Sequence, residues 1–156
     1  MMEDLLRYLH ALGAVVLIGT GAGIAFFMVM ADRSRDPAVI AHVAGTVVIA
    51  DFLFTASAVV AQPVTGYLLA RETGWPLDTP WILVSLGFYV LTGLCWLPVV
   101  FIQMKLRDLA RDAMADKTPL PQAYHRLYRL WVALGFPAFA SVAAILALML
   151  ARPALW

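Results

Sequence analysis

Residues 49–69 read IADFLFTASAVVAQPVTGYLL. The stretch has the length and apolar content of a membrane-embedded helix, since a hydrocarbon core about 30 Å thick needs roughly 20 helical residues. Yet it carries Asp51, Gln62 and Pro63. On a 3.6-residue wheel Asp51, Thr55, Ala58, Gln62 and Thr65 fall on one face, so the helix has a single polar seam. A carboxyl group inside a membrane helix costs about 2.5–3.5 kcal/mol on insertion scales, and it is turned inward and paired, protonated or functional. The seam therefore predicts that other helices cover it.

The rest of the chain supplies such helices. Of its 156 residues, 63% are hydrophobic and 13% charged, more apolar surface than a soluble domain of this size buries. Four apolar runs, Leu9 to Ala31, Val39 to Leu69, Trp81 to Met104 and Leu130 to Leu150, predict helices over about 8–31, 38–70, 80–112 and 122–151. The expected fold is all-α: an integral membrane four-helix bundle forming one transmembrane domain over residues 1–156. The first run is too long for a cleavable signal peptide and follows Glu3 and Asp4, so it is read as a retained helix. Eight of the eleven basic residues lie in or beside the first and third loops. The positive-inside rule then makes those loops cytoplasmic and both termini outward, or periplasmic, in a multi-pass protein of a bacterial inner membrane. A lone Cys95 allows no intramolecular disulfide and no thiolate cluster, the net charge of +1 says nothing about nucleic acid, and no nucleic-acid partner is expected. The expected partners are the lipid bilayer and a homo-oligomer or larger membrane complex. No nucleotide loop, metalloprotease motif or hydrolase triad is present.

The third helix carries a matching seam, in which Ser85, Tyr89, Thr92, Trp96 and Gln103 recur at helical spacing. Run antiparallel, the two seams put Ser85 level with Gln62, Thr92 with Thr55 and Trp96 with Asp51, enclosing one polar interior. Asp51 is expected either to line a functional cavity or to join helices by bonding Thr55, the Trp96 indole or Ser141. About 31 residues make a second helix of roughly 46 Å, which must tilt, kink or protrude; Pro63, unable to donate to Val59, supplies a bend near the outer face. Gly13, Gly19, Gly21 and Gly23 predict close packing of the first helix on a neighbour.

Three histidines are candidates for cofactor binding. His42 and His125 lie at about one depth near the inner ends of the second and fourth helices, the arrangement a bis-His b-type haem requires, with Arg33, Arg35, Arg126 or Arg129 for its propionates. His10 lies one turn into the first helix at the opposite face, where Met149 or Gln62 would have to complete a ligand set. No metal is expected beyond haem iron.

Four segments, YLHALGAVVLIGTG, ADFLFTASAVVAQPVTGYLL, PWILVSLGFYVLTGLCWLPVVFIQ and RLWVALGFPAFASVAAILALML, resemble over almost the whole chain the bacterial predicted integral membrane proteins called domain of unknown function 2269. That resemblance implies four transmembrane helices and no particular reaction. The chain is more loosely similar to copper-resistance membrane domains and to four-helix, haem-carrying membrane protoporphyrinogen oxidases, whose early histidine His10 in YLHALG would match. It departs from those oxidases at TPWILVSLG, where they have a tryptophan-lysine context. The function expected is haem-linked electron transfer or redox chemistry on a porphyrin-like or quinone substrate. The alternatives are a cofactor-free proton-coupled carrier and an accessory or assembly subunit of a larger complex.

Overall fold

The protein, described by a computed structural model over residues 1–155, has four helices long and apolar enough to cross a membrane. The first, α1, runs Met2–Ser34. The second span is α2, Pro37–Ala50, then a π-helical turn, Asp51–Thr55, then α3, Ala56–Thr73. The third and fourth are α4, Pro80–Asp116, and α5, Gln122–Ala151. No strand occurs among the described residues. In lipid this is what backbone chemistry demands, because a helix satisfies its own N–H and C=O groups within one segment.

Local chemistry sets the ends. Arg35 takes a left-handed conformation with φ of 56° and closes α1 through its N–H on the Asp32 carbonyl. The next residue, Asp36, caps α2 by accepting from Ala38 N–H at 2.8 Å, and Pro37 fills the first helical position, where no N–H is needed. Gly74, at φ of 73°, ends α3 in a conformation that favours glycine. Helix α1 starts about six residues earlier than the apolar run indicates, because Glu3, Asp4 and Arg7 are good helix residues and the Arg7 guanidinium pairs with Glu3 one turn back.

Packing divides the bundle into two ends. At the end holding the α1–α2 and α4–α5 connections, Met28, Ile40, Ala44, Leu106, Ala110 and Tyr124 are fully buried in one core with Ile24, Val47, Val99 and Trp131. The Tyr124 hydroxyl donates to Asp32 at 3.1 Å and ties α5 to α1 there. Since lipid is as apolar as leucine, close contact rather than exclusion of water holds this core together. Towards the other end, which holds both termini and the α3–α4 connection, the helices separate into pairs. Helix α4 packs along α5, and α3 packs on α1, while α1 and α5 touch only briefly and α3 shares no extended interface with α4. The second span changes partners along its length: α2 packs on α4 and α1, and α3 packs on α1. The changeover occurs at the π-helical turn.

The glycine expectation is corrected in part. A side chain at Gly19 or Gly23 would meet nothing within 4 Å, so that stripe faces outward. Gly13 is the close approach instead, because a Cβ there would collide with the Gln62 amide.

Candidate functional site

The π-helical turn puts Asp51 and Thr55 on the inside of the bundle, 3% and 6% exposed, while Phe52, Leu53 and Phe54 face outward. Both Asp51 oxygens are engaged. Trp96 Nε1 donates to Oδ1 at 3.1 Å. With its amide oriented as its neighbours require, Gln103 donates to Oδ2 at 3.0 Å, and its own carbonyl oxygen accepts from Trp131 Nε1 at 3.2 Å. The result is a one-way chain, indole to amide to carboxyl, linking α5, α4 and the second span. Among the described residues no lysine, arginine or histidine forms an ion pair with Asp51. The Thr55 hydroxyl stands beside the same carboxyl, yet it is buried without a hydrogen bond of normal geometry.

Two turns further along α3, Pro63 leaves the Val59 carbonyl without its helical donor. The Tyr89 hydroxyl reaches over from α4 and donates to that oxygen at 2.6 Å. Gln62 crosses to α1 and donates to the His10 carbonyl at 2.7 Å, which is why position 13 holds glycine.

His10 is half-buried, with Nδ1 3.0 Å from the Thr65 hydroxyl oxygen. That hydroxyl has one proton: with it on the Ala61 carbonyl at 2.8 Å, Thr65 accepts from His10 Nδ1–H and the Nε2 lone pair is free, whereas in the other tautomer Thr65 donates to Nδ1 and Nε2 carries the proton. No side chain or backbone group among the described residues hydrogen-bonds Nε2. A ring oriented through Nδ1 with Nε2 available is the arrangement of a metal ligand or a base.

Two adjoining cavities of about 350 and 630 Å³ fill the space between the separated helix pairs. Such volumes suit small-molecule sites. Both are bordered by Arg7, His10, Gln62, Tyr89 and Met149. The smaller reaches the open end at Trp75, Trp81 and Arg152. The larger descends to Asp51, Thr55, Trp96, Gln103 and Trp131 between walls that are otherwise almost wholly apolar.

The residues singled out from the sequence are thus partly gathered. Asp51, Thr55, Gln62, Tyr89, Thr92 and Trp96 border the larger cavity, and Ser85 the smaller. Ser85 and Thr92 bond back to carbonyls of their own helix, at 2.7 and 2.8 Å, and join no neighbour. His42 and His125 are not brought together: both are exposed, on α2 and α5, which share no extended interface. Gln103, already on the seam of the third helix, meets Asp51 and belongs to the site, and so does Trp131, which the sequence alone does not mark.

The sequence matches the family described as predicted integral membrane protein (DUF2269) over residues 4–153, and the chain belongs to that family. Neither a curated protein nor a solved structure shows a match to it.

Proposed function

We propose that this integral membrane protein is a redox protein of the bacterial inner membrane that holds a b-type haem or a similar planar, largely apolar molecule between its helix pairs, with His10 as the ligating or basic nitrogen. The observation that carries the reading is the Nε2 of His10, without a partner among the described residues, on the wall shared by both cavities. The donor set suits haem. Met149 borders the same cavities and offers a thioether, a known partner of histidine on haem iron. Arg7 and Arg152 at the open end offer charge for propionates. When bound, haem would supply a one-electron couple. The chain's own part is to fix the imidazole through Thr65, to keep water out with apolar walls, and to hold the α1 backbone in place through Gln62.

A reduced-minus-oxidised spectrum of protein purified in mild detergent from haem-supplemented cells tests this. Stoichiometric b-type bands are expected from wild type, from His42→Ala and from His125→Ala, and at most a tenth of them from His10→Ala. Colourless wild-type protein, or bands that survive in His10→Ala, would exclude the reading.

The bias of basic residues supports an orientation with the open end and both termini outward. In a Cys95→Ala background, an impermeant thiol reagent added to whole cells should label cysteine placed at Asp78 and spare cysteine at Lys117. The reverse pattern would invert the topology.

The carrier reading keeps one specific support, the π-helical turn beside a buried carboxyl group, since such turns recur at functional sites. It predicts Asp51-dependent flux from a colourless protein.

A further inference from the structure

The floor of the larger cavity lies away from His10 and has chemistry of its own. Apart from the Thr55 hydroxyl beside the carboxyl, every group that bonds Asp51 or Gln103 there among the described residues is a neutral N–H donor: the Trp96 indole, the Gln103 amide and the Trp131 indole. The carboxyl group has further lone pairs and no cationic partner. Thr55, 94% buried, borders the same cavity with its hydroxyl unpaired, against the rule that buried polar groups find partners. One acceptor and one hydroxyl able to donate thus stand side by side at the end of an apolar space of about 630 Å³.

The complement of this pair is a group that both donates and accepts, which is a hydroxyl. An ammonium ion would serve Asp51 but has no lone pair for Thr55. A carbonyl oxygen would serve Thr55 but meets an ionised Asp51 with no proton between them. The walls above, including Leu17, Ile18, Val142 and Leu146, call for an apolar body, and the brief contact between α1 and α5 leaves a path for it towards lipid. Trp96 and Trp131 add flat surfaces suited to an aromatic ring.

We propose that this floor binds the hydroxyl head of a membrane-soluble quinol, Asp51 accepting from its O–H and Thr55 donating to its oxygen. With Asp51 ionised the site discriminates between redox forms, because the oxidised quinone has no O–H to offer the carboxylate. It does not depend on haem at His10.

The test uses the full chain in nanodiscs under anaerobic conditions, titrated with decylubiquinol and with decylubiquinone and followed by tryptophan fluorescence, comparing dissociation constants. Wild type should bind the quinol about tenfold more tightly than the quinone, as expected where a site built to pair an O–H meets an analogue lacking it. Asp51→Asn should abolish that preference. Thr55→Val, which keeps shape and leaves the Trp96 and Gln103 bonds to Asp51 in place, should weaken quinol binding about fivefold, the worth of one hydrogen bond. Equal affinity for the two forms, a preference that persists in Asp51→Asn, quinol binding unchanged in Thr55→Val, or binding of neither form would overturn the proposal. The last result would indicate that only water occupies the floor. The haem spectrum of the same preparation stands or falls separately.

Discussion

Tyr89→Phe is expected to destabilise the fold by about 1–3 kcal/mol, the cost of leaving a buried acceptor without its donor, and adding Pro63→Ala is expected to recover most of that loss. The argument starts with the proline ring. Position 63 has no N–H, so the Val59 carbonyl has no donor from its own helix, and no water in a hydrocarbon core can replace it. The Tyr89 hydroxyl fills that place at 2.6 Å from the neighbouring helix. Phenylalanine keeps the ring and its packing and removes only the donor. Alanine at 63 returns the donor from within α3. The pair should therefore show strong coupling in a double-mutant cycle of reversible unfolding in mixed micelles. Two additive single effects would show that the tyrosine and the proline act independently. A neutral Tyr89→Phe would show that the carbonyl does not need the tyrosine at all.

The second large effect belongs to Asp51→Ala. Removing the carboxyl group takes the acceptor from both the Trp96 indole and the Gln103 amide. Gln103 keeps its bond from the Trp131 indole, while its own NH₂ and the Trp96 indole are left without the acceptor they share. A loss of about 2–4 kcal/mol is expected, from one to two buried donors stranded at about 1–3 kcal/mol each. Asp51→Asn should cost less, about 1–2 kcal/mol, since asparagine keeps one acceptor and turns its NH₂ towards a donor. The same unfolding measurement checks both, and the order of the two variants matters more than their size. Equal effects would mean that an amide oxygen in the same place does not serve as acceptor for either donor.

The architecture was legible because composition and run length speak directly in membrane proteins. The four spans follow from apolar runs whose lengths match a bilayer. The level of Trp96 with Asp51 followed from simple counting along antiparallel helices, and the two side chains do bond. Two things were hidden. A wheel of 3.6 residues assumes an unbroken α-helix, so it could not reveal the π-helical turn between Asp51 and Thr55. Depth along the membrane also says nothing of which helices are neighbours, and His42 and His125 share a depth estimate without sharing an interface. His10 stood out from the sequence for its position. Its second ring nitrogen, without a partner among the described residues, became visible only with the bond that orients the ring through Thr65.

The turn at Asp51–Thr55 also has a bearing on how the chain tolerates insertion and deletion. A bond from residue i to i+5 accommodates one residue more than a regular helical turn, so the second span is two helices of different phase joined through a single surplus residue. Because Phe52, Leu53 and Phe54 all face outward, the removal of any one of them touches no interior side chain directly. Its consequence is rotational: the remaining residues can close into uninterrupted α-helix with the faces of α2 and α3 still near their present bearings. A chain shortened by one residue there would keep its bundle while losing the place where Asp51 and Thr55 are held side by side. The same deletion one turn further along, within α3, has no slack to absorb it and would turn Gln62 away from α1.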